Sequence, residues 1–240
     1  MKHLLCFLGL LFVCQFVRAQ QSDSTAAVPK YHLSLTYSFC AVNPTDINNY
    51  IATSNAALGS TTKSIESMPE LSATLTIRPM EDAKIVILRG GYLWADRSFS
   101  LSVPQTDTSP TSSGQIKGSI SDTYSAYPFS IGIGLATLKS DAQLTLEFIY
   151  AVGYIDENGS FTTADGGTTS YSRSLFSPAY GFRIAAQTAV PLTSILGLHL
   201  EIAYRGLTFS DFEDQSSAQP SLINFSLTGV SGNIGLTVSL

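Results

Sequence analysis

The chain is patterned at a period of two. In Tyr31-His32-Leu33-Ser34-Leu35-Thr36-Tyr37-Ser38-Phe39 the odd positions are apolar or aromatic and the even ones polar. Leu71-Ser72-Ala73-Thr74-Leu75-Thr76-Ile77-Arg78 repeats the pattern. A third strand begins near Lys84 and sets Val86, Leu88, Gly90, Tyr92 and Trp94 on one face. A fourth carries Tyr127, Phe129, Ile131, Ile133 and Leu135, and a fifth Leu144, Leu146, Phe148, Tyr150, Val152 and Tyr154. Tyr180, Phe182, Ile184 and Ala186 make the sixth; Leu196, Leu198, Leu200, Ile202 and Tyr204 make the seventh. The last ends at Ile234-Gly235-Leu236-Thr237-Val238-Ser239-Leu240.

The connections alternate long and short. Ala41–Glu70, Arg97–Ser121, Ile155–Leu175 and Thr208–Leu222 are long and rich in Ser, Thr, Asn, Asp and Gly. Pro79–Ala83, Thr137–Ala142 and Val190–Ser194 are tight. That order predicts an all-β fold, a single eight-stranded antiparallel up-and-down transmembrane β-barrel, with long loops on one side of the bilayer. Within the first long segment, Thr45 or Asp46 caps a candidate helix. Ile47, Tyr50, Ile51 and Leu58 would form its apolar face and Gly59 its end; an irregular loop is the alternative.

Composition adds the compartment. Lys2 and His3 precede the apolar run Leu4–Val13, and Val17-Arg18-Ala19 offers a cleavage site before Gln20. This reads as a Sec-type signal peptide over residues 1–19, with a barrel domain over 20–240. The alternative, a membrane-anchoring helix, meets an apolar run too short to span. Val13 before Cys14 is not the small residue a lipid-acylated cysteine needs. Cleavage lowers Lys+Arg from 13 to 11 against 18 acidic residues, leaving a formal charge of −7. An acidic chain without a basic run does not favour nucleic acid. Only Cys40 remains, so neither an intrachain disulfide nor a cysteine metal site is expected. Charged residues make up 13%, about half the usual share, and no long apolar stretch follows the signal. Both suit strands that set apolar residues against small polar ones.

The chain resembles the small bacterial outer-membrane barrels of the OmpA-transmembrane and OmpX type over nearly its whole mature length. The closing run Gly229-Val230-Ser231-Gly232-Asn233-Ile234-Gly235-Leu236-Thr237-Val238-Ser239-Leu240 resembles the terminal strand such proteins present to the barrel-assembly machinery. Leu240 departs from the aromatic residue usual there, which bears on recognition more than on fold. The resemblance implies residence in the outer membrane, with its lipid and the assembly machinery as partners.

Facing follows from solvation. An unpaired backbone group in hydrocarbon costs several kcal/mol, so a spanning sheet closes, with apolar side chains toward lipid and small or charged ones inside. Counted from the tight turns, Phe39, Trp94, Tyr127, Tyr154, Tyr180 and Tyr204 fall near the long-loop ends and form an expected outer aromatic girdle. Arg89, Glu147, Arg183, His199 and Glu201 share an inner level. An eight-stranded interior is only wide enough for side chains, so these charges are expected to pair as a plug; water reaching them is the alternative.

Catalysis is not expected. His32 and His199 are the only histidines after the signal, both on the lumen parity away from the long loops. No serine has an evident histidine and acid partner. Asp156-Glu157, Asp211 and Glu213-Asp214 do not match a calcium loop, and no cofactor is implied. The expected role is a structural or binding protein of the cell envelope, with an extracellular ligand at the loops. A channel for small solutes or hydrophobic compounds is the alternative, because Gly132, Gly134, Gly153 and Gly181 leave lumen space. A soluble exported β-protein would invert the facing.

Overall fold

Strand β1 (Tyr31–Ala41) alternates as its sequence does: Leu33, Leu35, Tyr37 and Phe39 are exposed, while His32, Ser34, Thr36, Ser38 and Cys40 are buried. The structure, a computed structural model, describes residues 31–42, 44–79, 84–104, 115–136, 142–163, 165–214, 220–221 and 224–240. The expected signal peptide, Cys14 and turn residues 80–83 and 137–141 lie outside the described residues.

After β1 come helix α1 (Thr45–Leu58), β2 (Ser67–Ile77), β3 (Lys84–Pro104), β4 (Gln115–Ala136), β5 (Gln143–Thr162), β6 (Thr168–Pro191) and β7 (Leu196–Phe209). Three short strands follow, β8 (Phe212–Asp214), β9 (Pro220–Ser221) and β10 (Phe225–Ser226), before β11 (Gly229–Ser239). The long strands pair antiparallel in chain order, β11 pairs with β7, and β1 pairs with β11. The ring therefore closes as an eight-stranded barrel without a free edge at that level.

The ring is staggered. From Tyr31 the paired residues run Ile77, Val86, Ile133, Leu146, Ile184, Tyr204 and Val230. The neighbour of Val230, Ser231, pairs with Cys40 at the far end of β1. One circuit thus climbs nearly the whole of β1, the shear that tilted strands require. Every residue on that walk lies on the outward parity.

Two expectations are corrected here. First, two of the four long connections are largely strand. β3 to β6 are 20–24 residues each, about twice the 9–11 that cross a bilayer. The segments expected as loops at Arg97–Ser121 and Ile155–Leu175 continue as paired hairpins above the apolar band. Their Ser and Thr residues suit water on both faces, and ladder pairing satisfies the backbone there too. Glu70, Asp156 and Glu157 accordingly sit on strands.

Second, the inner parity is mainly polar in the lower barrel and mainly apolar toward the long hairpins. Toward the long hairpins Leu93, Ala95, Phe99, Ala126, Ile149, Ile155, Leu175 and Leu207 point inward and are buried. They pack with Phe209, Phe212, Phe225 and Leu227 from the final connection, which folds back over the mouth. Rings of Phe209 and Phe225 stack at 6.0 Å. Ile85 and Ile87 are inward as well.

Helix α1 closes this apolar core. Ile47 and Ile51, one turn apart, are each 1% exposed, and Tyr50 meets Phe99 edge-on at 6.5 Å. The helix ends at Gly59, whose φ of 66° is left-handed and suits glycine. Pro44, not Thr45 or Asp46, is the residue before the first turn, and no side chain caps it. The side chain of Leu58 is outside the described residues. Two asparagines pin the return chain: Asn48 Nδ2 donates to Ile65 O and its Oδ1 accepts from Ile65 N. Asn55 does the same to Thr62. Ile51→Ala is expected to loosen this cap by about 2–5 kcal/mol. Limited proteolysis should then cut residues 42–66 faster while the barrel keeps its folded gel mobility.

Candidate functional site

The lower lumen is built from alternate residues of all eight ring strands. Arg89 on β3 pairs with Ser130, two residues from Gly132, the β4 partner of Glu147, and Glu147 stands directly opposite Arg183 on β6. Glu201 enters from β7, opposite Asn233 of β11. The stagger of the ring brings them to one height.

There they form a closed quartet. Arg89 Nε donates to Glu147 Oε2 at 3.2 Å and its Nη2 to Glu201 Oε2 at 2.7 Å. Arg183 Nη1 donates to Glu147 Oε1 at 2.7 Å, and its Nη2 to Glu201 Oε1. Ser130 Oγ donates to Glu147 Oε2 at 2.6 Å, and Asn233 Nδ2 donates to Glu201. Glu147 and Glu201 are fully buried, and both arginines nearly so. Two charges of each sign, bridged in all four combinations, offset much of the cost of removing them from water.

His199 does not join the quartet. Two residues below Glu201 on β7, its Nδ1 lies 3.4 Å from Ser34 Oγ, which donates to Thr237 Oγ1 at 2.9 Å. A neighbouring rung holds His32 Nδ1 3.0 Å from Ser239 Oγ. Polar packing therefore continues to the tight-turn end.

A second ion pair was missed from the sequence. Arg205 Nη1 donates to Glu70 Oε2 at 3.1 Å, one level above the quartet, and both residues are buried. Arg205 lies on the inward parity of β7, so alternation marks it. Glu70 was concealed because Pro69 beside it reads as loop, although Pro69 pairs with Phe39 in β2.

The glycines expected to leave lumen space do not. A Cβ at Gly132 would meet Leu146 O at 2.4 Å and Glu147 Cγ at 2.7 Å. One at Gly153 would meet the Phe209 ring at 2.9 Å, one at Gly134 the Thr145 and Ile85 side chains, and one at Gly181 the Gly206 carbonyl. These positions are small because neighbours already occupy the volume.

Outside, apolar side chains ring the barrel: Leu33 and Leu35 on β1, Phe129, Ile131, Ile133 and Leu135 on β4, Leu146 and Phe148 on β5, Ile234 and Leu236 on β11 are all more than 45% exposed. The six rings expected as a girdle all lie on this outer parity. Trp94 stacks on Tyr92 at 5.2 Å, Tyr92 meets Tyr127 at 5.0 Å, and Tyr127 meets Tyr154 at 5.9 Å. Tyr180 stands apart from this arc, between Phe148 and Tyr150, and Tyr204 pairs with Phe182. Phe39 packs on Tyr37 at 5.3 Å.

No family model matches the chain, and no curated protein matches it in sequence. Among solved structures it is similar to Ail, the attachment invasion locus protein of Yersinia pestis, at 9% identity and a TM-score of 0.32, covering 89% of this chain and 100% of that one. It is also similar to a major outer membrane protein from Thermus thermophilus, at 12% identity and a TM-score of 0.37, covering 88% and 99%. Likeness at these scores says nothing of ligand or activity. The chain is similar to outer-membrane barrels, and its own closed registers carry the assignment of an eight-stranded antiparallel barrel.

Proposed function

We propose that the protein is a non-enzymatic component of the bacterial outer membrane whose lumen is sealed and whose work is done at the long-hairpin end. The observation that carries this reading is the facing. Leu, Ile, Val and aromatic side chains surround the closed ring, and two arginines and two glutamates are buried inside it. A soluble carrier needs the opposite arrangement. Lipid meets the apolar belt, the rings of Trp94, Tyr127, Tyr154, Tyr180, Tyr204 and Phe39 suit the interface, and β11 is the strand for the assembly machinery to recognise.

The sealed reading rests on the quartet below and the apolar core above it. Transport through the barrel would require both to move. In planar bilayers the refolded protein is expected to show no steady single-channel conductance. A stable open level at neutral pH and moderate voltage would overturn the sealed lumen. Cell fractionation checks location separately: the protein should need detergent for release, and appearance among freely soluble periplasmic proteins would overturn the membrane assignment.

A further inference from the structure

Between α1 and the raised hairpins lies a cavity of about 220 Å³. That is well above the roughly 10–15 Å³ one water needs and below the roughly 300–1,000 Å³ of drug-sized sites. Ile47, Ile155 and Leu175 give it an apolar wall; Tyr50, Asp122, Tyr124 and Glu157 give it a polar one. It opens to solvent past Arg173, which is exposed, and half-exposed Tyr50.

Asp122 is the unusual member. It is 1% exposed. Its Oδ2 accepts from Tyr124 Oη at 3.1 Å, but its buried Oδ1 has no hydrogen-bond partner among the described residues. A carboxylate oxygen held dry and unpaired is costly. The neighbours do not neutralise it. Glu157 adds like charge, with Oε1 accepting from Tyr171 Oη at 2.6 Å. Among the described residues lining the cavity the one cation is Arg173, whose Nε donates to Asp214 Oδ2 at 3.1 Å. The cavity thus holds two carboxylates, two phenol rings, an aliphatic wall and an orphan acceptor.

We propose that this cavity binds a small organic ammonium ion, its apolar body on Ile47, Ile155 and Leu175 and its charged nitrogen toward the carboxyl groups of Asp122 and Glu157. Phenol rings favour a cation, and a positive charge offsets the two carboxyl groups that β4–β5 pairing sets opposite each other. A divalent metal suits the site less. It wants six or more oxygen ligands, and among the described residues no group of three His, Cys, Asp or Glu could hold one. The site gives a chemistry to the ligand of the long-hairpin end. It rests on the envelope reading only for which side of the membrane supplies the amine.

Protonation tunes the site. Burial, and then the Glu157 charge, push the Asp122 carboxyl up to about 6, against the opposing hydrogen bond from Tyr124. The same burial raises Tyr50 and Tyr124, and Tyr171 shifts upward as well. These phenols therefore stay neutral where Asp122 ionises.

The test is calorimetric titration of the refolded full chain with 2-phenylethylammonium, beside 2-phenylethanol, phenylacetate and Ca²⁺. The cation alone is expected to bind, and about tenfold more weakly at pH ~5 than at pH ~7.5, as Asp122 takes up its proton. Asp122→Asn should weaken binding by at least about tenfold, and Asp211→Asn, outside the cavity, should not. If Asp122→Asn fails to fold by gel mobility, Glu157→Gln and Tyr50→Leu should each weaken binding. No uptake of the cation, equal uptake of the alcohol or anion, preference for Ca²⁺, or indifference to these variants would each overturn the proposal. Conductance and fractionation judge the envelope reading by other readouts.

Discussion

Glu201→Gln is expected to destabilise the folded barrel by about 3–5 kcal/mol. Glu201 is fully buried and accepts from Arg89, Arg183 and Asn233. Glutamine keeps the shape, but it removes one of two negative charges and turns an acceptor into a donor facing a guanidinium. Two buried arginines then share Glu147 alone. Urea unfolding in lipid vesicles, followed by the fluorescence of Trp94, the single tryptophan, measures the loss. The double change Arg89→Leu with Glu201→Leu should recover part of it, because removing a whole buried pair costs far less than stranding one partner. A loss below about 1 kcal/mol would mean that water screens the quartet as it does a surface pair.

Ile131→Arg is expected to cost about 2–4 kcal/mol in a bilayer, and Leu135→Arg only about 0–1 kcal/mol. Both side chains are outward and more than half exposed. Ile131 is the middle of the row Tyr127, Phe129, Ile131, Ile133, Leu135, and Leu135 is its lower end. An arginine at the centre must drag water or headgroups into hydrocarbon, whereas one at the rim reaches the interface. Urea titration in bilayer vesicles measures both variants. Equal, small costs at the two depths would mean that this face meets water.

The two predictions probe opposite parities of the same strands, and the sequence differed in what it disclosed of each. Outward residues were legible because lipid tolerates only apolar side chains, so each one carries the signal by itself. The Leu33-Leu35-Tyr37-Phe39 row needs no knowledge of its neighbours. Inward residues are judged by contact. Arg89, Glu147, Arg183 and Glu201 were readable as a level because each sits at a similar distance from a tight turn. That His199 bonds Ser34 and not the quartet depends on the stagger of β1 against β7 and β11. Glu70 was hidden by Pro69, whose turn propensity is overridden by pairing with Phe39.

The upper lumen was the least legible part. Leu93, Phe99, Ile155 and Leu175 break the polar-inside rule, and alone they read as lapses of alternation. They are apolar because α1, Phe209, Phe212 and Phe225 fold back on them. Asp122 and Glu157 become a shared site only through β4–β5 pairing, which sets them directly opposite.

Alternation and connection lengths alone determined the number of strands in the ring, its closure and the apolar sign of its outer face. These depend on local periodicity and on the cost of an unpaired backbone in lipid, and both are written residue by residue. Tertiary structure decided which inner charges meet, what fills the mouth and where an orphan carboxylate oxygen lies. Those depend on shear and on the path of the returning segments, which join residues more than a hundred positions apart, such as Arg205 and Glu70.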